Sequence, residues 1–280
     1  MKPGMYIVAT PIGNLDDITL RALQVLKDAD LVAAEDTRHS RKLLQYFGIE
    51  RALVAYHEHS DLSHIEAKFA EVIESGGTVA LISDAGTPLV SDPGYPVVRA
   101  MQNRGLAVVP VPGPSAAIAA ISVAGLASDR FTFAGFPPAK ETARRGWYAD
   151  LAHSSATLII YEAPHRVLAS LRDAIAVFGA EREACMCREI TKTFETIKRA
   201  CLADLAEFVA ADTNQQRGEI VLIIAGSKEP AVQLGDAEEG LLLSVAEYAP
   251  PKVAAGIVAD YLGLKKNDLY ARLLEIKNKV

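Results

Sequence analysis

Along the first 125 positions, short apolar runs alternate with stretches whose apolar residues recur at helical intervals. MYIVA (5–9), LVAA (31–34), ALVAY (52–56), TVALI (78–82) and LAVVPV (106–111) read as strands. Between them, 16–29, 36–48, 61–75, 95–105 and 114–125 carry the helical pattern. Acidic residues at 16 and 17 suit the start of the first helix, Asp36 or Thr37 the start of the second, and Gly48 its end. Strand–helix units of this length predict a mainly parallel sheet covered on both faces. Sites in such sheets sit beyond the carboxyl ends of the strands. The loops ATPIGN, AAEDTR, AYHEH, SDAGTP and VPGPS all fall there, so one edge gathers five polar loops.

From about Asp129 the order changes. FTFAGF, TLIIYEAP, EACMCRE, TKTFETIKRA and GEIVLIIAG read as strands, with helices around 140–152, 164–178 and 202–211. The close spacing of EACMCRE and TKTFETIKRA predicts antiparallel pairing, hence a mixed sheet. GSKEPAVQLGDAEEG (226–240) reads as a linker, and the remainder as helices. The expected organisation is an α/β fold with an N-terminal domain over 1–128, a second α/β domain over 129–228 and a helical domain over 237–280.

Composition narrows the function. The chain has 280 residues and a net charge of −6, which argues against a broad nucleic-acid surface and leaves room for a local basic patch. One such excess lies in 251–280, with six Lys/Arg against three Asp/Glu. Three cysteines cannot make a disulfide framework and fit a reducing cytoplasm. Cys185 and Cys187 would share a strand face as buried thiols. No apolar stretch reaches membrane-spanning length, and the N-terminus lacks a signal-peptide layout.

The loops carry the chemistry. Neither G-x-x-x-x-G-K-[ST] nor G-x-G-x-x-G occurs after a strand. SDAGTPLVSDPG (83–94) mixes glycine with proline, which has no amide to donate to phosphate but leaves carbonyls for a cationic or donor-bearing ligand. VPGPSAA approaches the nucleophile elbow G-x-S-x-G, with Ala117 at its second glycine. Ser115 there reads as a helix cap or ligand contact, and as a hydrolase nucleophile only if His153 or His165 completes a triad. His57, Glu58, His59 and His64 read as site-lining groups, without an assured third metal ligand. Asp36 suits a helix cap, which frees Glu35 for acid–base work. Asp84, at a strand tip, reads as functional; Asp92 reads as a turn residue.

VATPIGNLDDIT, AAEDTR, YHEH, SDAGTPLVSDPG, PGPSA, GFPPAK, YEAPHR, REITKTFE and RGEIVL occur in this order across nearly the whole chain. Together they resemble the ribosomal RNA small-subunit methyltransferase I family, of the tetrapyrrole-methylase fold class. The resemblance implies transfer of a methyl group from S-adenosylmethionine to a cytidine ribose 2′-hydroxyl in the decoding region of small-subunit ribosomal RNA. It implies a homodimer that acts on the RNA or on the assembled small subunit, with the cofactor in a cleft between two α/β domains. The implied cofactor contacts are Pro11, Ile12, Gly13, Ala85, Gly86, Thr87, Val90, Ser115, Ala116, Glu162 and Ala163. Glu35 falls near where related methylases carry an acidic residue by the acceptor, and Glu35 or Asp84 is the expected base. Candidate RNA contacts are Arg38, Lys140, Arg144, Arg145, Arg166, Arg188 and Lys192. Lys252, Lys265, Lys266 and Arg272 add a C-terminal set, in what reads either as a helix-turn-helix-like RNA module or as a dimer-stabilising cap. The alternatives are a methylase of a tetrapyrrole precursor, a serine hydrolase using Ser115, and a noncatalytic RNA-binding module.

Overall fold

The computed structural model describes residues 1–57, 60–228, 234–264 and 266–277. Its strands are β1 (Gly4–Val8), β2 (Leu31–Ala34), β3 (Leu53–Ala55), β4 (Thr78–Ile82), β5 (Val108–Val111), β6 (Phe131–Gly135), β7 (Thr157–Glu162), β8 (Glu183–Arg188), β9 (Thr196–Cys201) and β10 (Ile220–Ile224). Its helices are α1 (Leu20–Asp28), α2 (Thr37–Tyr46), α3 (Leu62–Glu74), α4 (Tyr95–Asn103), α5 (Ala116–Val123), α6 (Glu141–Leu151), α7 (Val167–Phe178), α8 (Leu202–Ala211), α9 (Asp236–Tyr248), α10 (Pro251–Leu262) and α11 (Lys266–Lys277).

The first sheet has the order β3-β2-β4-β1-β5, and every pairing is parallel. Strand periodicity splits its core in two. Tyr6, Val8, Val32 and Ala80 pack with Val25, Leu26 and Leu44 on one face. Met5, Ala33, Val79 and Leu81 pack with Phe69, Ile73, Val97 and Met101 on the other. Both faces are thus covered, as the continuous apolar strands require.

The second sheet runs β6-β7-β10-β8-β9, parallel only between β6 and β7, so it is mixed as expected. The sequence pattern assigned 114–125 to the first sheet, but α5 packs elsewhere. Its Ala117, Ala120 and Ile121 join Ile159, Cys185, Cys187, Val221 and Ile223 on the second sheet. Small residues let this short helix lie close against β7 and β10. The two cysteines do share a buried face, with sulfurs 3.8 Å apart.

The first predicted helix is also shorter than its pattern. Asn14 caps a separate 3-10 turn over Leu15–Asp17, and the Thr19 hydroxyl then accepts from the Ala22 amide to start α1. Asp16 and Asp17 therefore lie in the turn, and threonine provides the cap.

Two compact units result. One joins Met1–Tyr148 and Thr157–Ala225, so it holds both sheets; the other joins Ala149–Ala156 with described residues from Gly226 on. In the second unit, Leu242, Ala254, Ala255, Val258, Ala259, Leu269 and Leu273 form the core of a three-helix array. The turn after α10 uses Gly263 in the left-handed conformation, at φ +68°.

Candidate functional site

The polar loops of the first sheet are tied to one another beyond the strand ends. Thr10 N–H donates to the Gly86 carbonyl at 2.8 Å, and Gly86 N–H donates to the Thr10 carbonyl at 3.0 Å. Gly86 holds φ +82°, a conformation glycine adopts without Cβ strain. The Thr10 hydroxyl reaches the Ser83 carbonyl at 3.2 Å, and the Thr87 hydroxyl the Pro114 carbonyl at 3.0 Å. Three loops are thereby locked at the mouth of β1, β4 and β5. Leu89 and Ser91, at φ +73° and +65°, hold Val90 between two non-glycine positions of positive φ. Each such residue stores about 1–3 kcal/mol of strain, a concentration typical of functional loops.

Against these loops the second sheet closes a cavity of about 380 Å³. Ile12, Ala85, Gly86, Thr87, Val90, Ser115, Ala116 and Glu162 line it, all of them sequence-predicted positions. Sequence reasoning missed Asp92, Phe136, Tyr161, Ile190 and Glu219, which line it too. Ala163 is not among its lining residues; its N–H donates to Glu162 Oε1 at 2.7 Å. Ser115 holds the N-cap position of α5, but its hydroxyl makes no cap hydrogen bond. The Tyr161 hydroxyl instead accepts from the Ala117 amide at 3.1 Å, a cap supplied across sheets. None of the described lining residues is a histidine, so Ser115 has no base beside it there.

A second cavity, about 440 Å³, adjoins the first through shared Ile12, Ala85 and Glu219. Pro11 and Gly13 line this one, together with Leu15, His39, Lys42, Leu43, Tyr46, Asp84 and Lys192. A Cβ on Gly13 would sit 2.5 Å from Lys192 Cγ, so only glycine lets the two loops approach this closely. Asn14 N–H, donating to the Thr191 hydroxyl at 3.1 Å, adds to the clasp.

Carboxylates gather where the cavities meet. Asp36 caps α2, its Oδ1 accepting from the Arg38 and His39 amides at 2.8 and 3.4 Å, as expected. Asp84 Oδ1 accepts from the Asp36 N–H at 3.1 Å. Glu35 has its carboxyl pushed above the usual range by burial, then by the charges of Asp92 and Asp84. Burial likewise raises Asp92; a Ser83 hydrogen bond lowers it, and Asp84 raises it further. Asp92 is therefore more than the turn residue its Asp-Pro-Gly context suggested. Its Oδ2 is buried without a hydrogen-bond partner among the described residues. Glu162 is similar: its buried side chain meets Arg166 at 3.3 Å, while Oε2 has no partner.

A stability test follows from the raised carboxyl of Glu35. Between the ordinary glutamate value and the raised one, the folded chain binds more protons than the unfolded, so stability falls as pH rises through that window. Glu35→Gln removes the penalty. It is expected to raise Tm at pH 8, and the difference from the parent should vanish at pH 4. An equal Tm at both pH values would contradict the assignment.

The predicted basic contacts divide sharply. Arg38 is 90% exposed beside Asp36, and Lys140, Lys252 and Lys266 are exposed. Lys192 spans Glu189 and Glu219 at 2.9 and 3.1 Å. Arg166 is turned to Glu162, and Arg272 to Glu239 and Glu275. Arg188, expected to meet RNA, is instead 7% exposed and donates from Nε to Gln215 Oε1. Buried at the end of β8, it offers little charge to a polyanion. Arg144 is also buried, paired with Asp173 at 2.6 Å, and Arg145 binds the same carboxylate at 2.7 Å. Glu58, His59 and Lys265 lie outside the described residues. Among the described residues, no three His, Cys, Asp or Glu side chains gather to hold a metal ion, and no helix is long and apolar enough to cross a membrane.

Comparison with known proteins places this geometry. Residues 4–206 match the model of the Tetrapyrrole (Corrin/Porphyrin) Methylases, and 233–277 match that of the RsmI C-terminal HTH domain. A ribosomal RNA small subunit methyltransferase I of Pseudomonas aeruginosa is 52% identical over 98% of both chains. That of Escherichia coli O157:H7 is 50% identical over 97% of this chain and 94% of its own. Among solved structures, a uroporphyrin-III C-methyltransferase from Thermus thermophilus matches 80% of this chain and 94% of its own, with TM-score 0.56 and 21% identity. A diphthine synthase matches 79% and 89%, with TM-score 0.56 and 16% identity. At these identities the two structures speak for the fold alone, and their different names warn that it does not by itself choose an acceptor. Full-length kinship at about half identity is decisive: the chain belongs to the ribosomal RNA small subunit methyltransferase I family, built on the tetrapyrrole-methylase fold with a C-terminal helical domain.

Proposed function

We propose that the chain transfers a methyl group from S-adenosylmethionine to the ribose 2′-hydroxyl of a cytidine in the decoding region of small-subunit ribosomal RNA. The observation that carries this reading is the pair of adjoining cavities, one walled by unpartnered carboxylate oxygens and the other by Asp84. Family membership supports an RNA acceptor.

The first cavity suits the cofactor. S-adenosylmethionine supplies an electrophilic methyl group on a cationic sulfur, with amine and hydroxyl donors around it. Glu162 Oε2 and Asp92 Oδ2 are buried acceptors without partners, and such groups call for a donor. Ile12, Val90, Ile190 and Ile220 give the same cavity apolar walls that exclude water. Pro11, Gly13 and Ala163 hold the surrounding loops. Glu162→Gln is expected to weaken S-adenosylmethionine binding about 10- to 100-fold, the worth of a hydrogen bond to a charged group. Titration calorimetry reads this; unchanged affinity would remove Glu162 from the cofactor site.

At the junction, Asp84 accepts the proton of the acceptor hydroxyl. Glu35 and Asp92, whose carboxyls burial pushes upward, stand beside it. Alignment of hydroxyl and methyl supplies the larger share of the rate. The serine-hydrolase reading loses its base, and nothing about Ser115 favours it over ligand contact.

The same reading includes a homodimer working in the cytoplasm, on RNA or on the assembled subunit. Ile118, Val123 and Phe194 are large apolar side chains left exposed on the two-sheet unit, as an association surface would require. The deciding experiment is mass mapping of small-subunit ribosomal RNA from cells with and without the protein. One cytidine ribose methyl should disappear with it; an unchanged map would defeat the proposal.

A further inference from the structure

The second cavity has a wall whose composition differs from the rest of the molecule. His39, Lys42, Leu43 and Tyr46 recur at i, i+3, i+4 and i+7 along α2, so one face of the helix supplies them all. Ser40 and Leu44, on another face, are the buried anchors. The cavity face is therefore an available surface, not core packing. Tyr46 is 64% exposed, yet its ring is braced edge-on against Phe47 with centroids 4.9 Å apart. A held, open aromatic face suits stacking on a base.

Charge points the same way. The chain carries −6, and Glu35, Asp84 and Asp92 crowd the junction, so a polyanion is repelled there unless cations compensate. α2 contains two arginines, a lysine and a histidine, and no Asp or Glu. Of these, His39 and Lys42 face the cavity. On the far rim, the Lys192 ammonium offsets Glu189 and Glu219.

Building on the reading of the chain as an RNA methyltransferase, we propose that the second cavity seats the acceptor nucleotide, with the His39–Lys42–Tyr46 face of α2 as its recognition wall. Lys42 meets the phosphate next to the target ribose, and Tyr46 stacks on a base splayed from the strand. The ribose then lies between this wall and Asp84, with its hydroxyl toward the shared Ala85 edge of the first cavity. Single-stranded or splayed RNA is the form such a site accepts, since a stacked duplex hides the faces Tyr46 needs.

Methyl transfer to small ribosomal subunits purified from cells lacking the protein tests this. Lys42→Ala and Tyr46→Ala should each raise KM for the subunit about ten-fold, with S-adenosylmethionine affinity unchanged by calorimetry. Tyr46→Phe should retain the parental KM, because it keeps the stacking face. Lys42→Ala should also reduce the slope of log affinity against log salt by about one, the mark of one lost phosphate contact. Arg41→Ala, on the same helix away from the cavity, serves as the control and should match the parent. Parental KM in both alanine variants, or an equal loss in Arg41→Ala, overturns the proposal while leaving the methyltransferase reading intact. If the parent itself transfers no methyl group to the subunit, that reading fails and takes the proposal with it.

Discussion

Asp84→Asn cuts the single-turnover rate of methyl transfer by about 10²- to 10⁴-fold while S-adenosylmethionine still binds: that is the expected result for the carboxylate lining the acceptor-side cavity. The asparagine keeps the shape and still offers an oxygen to the Asp36 amide, so α2 stays anchored. What it loses is the ability to take a proton. Glu35→Gln probes the same cluster differently. Burial and the charges of Asp92 and Asp84 push its carboxyl upward, so a neutral glutamine there should alter the acid limb of the rate–pH profile. Parental single-turnover rates in Asp84→Asn, with cofactor bound, would exclude it as the base.

The second large effect is structural. Arg144→Ala should destabilise the two-sheet unit by about 3–5 kcal/mol, because it removes the buried partner of the Asp173 charge and leaves only the half-exposed Arg145. Arg144 is 4% exposed, its Nε and second guanidinium nitrogen both meet Asp173 Oδ2, and its remaining nitrogen donates to the Ala139 carbonyl at 2.9 Å. Asp173 would keep only the contact from Arg145, and the loop before α6 would lose its tie. For a chain of this size the expected fall in Tm is roughly 6–20 °C. The KM for ribosomal subunits, measured well below the transition, should not change. A stability loss under ~1 kcal/mol with a raised KM would restore Arg144 to the RNA surface. The double variant Arg144→Met, Asp173→Leu should recover part of the loss, since it removes both charges together.

Arg144 and Arg188 show where sequence reasoning stops. Arg144 stands among polar neighbours and Arg188 ends the apolar run of β8, and an arginine is usually exposed. Their burial comes from partners far along the chain, Asp173 and Gln215. Tyr161 is comparable. In TLIIYE it reads as a strand residue, and only the packing of α5 on the second sheet brings its hydroxyl to the Ala117 amide. Asp92 looked like a turn former because Asp-Pro-Gly turns are common. Its carboxylate, with one oxygen unpartnered, lines a cavity shared with residues of the second sheet, and no local pattern signals that.

Other features were legible for an equally physical reason. Strand and helix periods are local, so the five parallel strands, the antiparallel pair β8–β9 and the Asp36 cap could be read from neighbouring residues. The placement of loops beyond strand ends follows from parallel topology, while Ile12, Ala85, Gly86, Thr87, Val90 and Ser115 within them were named by the family resemblance of their motifs. The division of labour between the cavities was not: Pro11 and Gly13 stand with Asp84, while Ile12 and Ala85 face both sides. The helical spacing of His39, Lys42 and Tyr46 was present in the string, but an amphipathic face does not say what it faces. The sequence by itself determined the elements, their order and the loops that could hold chemistry, because these depend on contacts within a few residues. Only the tertiary structure decided which charges are buried, which carboxylates share a field and which helix face meets a cavity, because burial and Coulomb energy depend on distances the chain closes over tens to hundreds of residues.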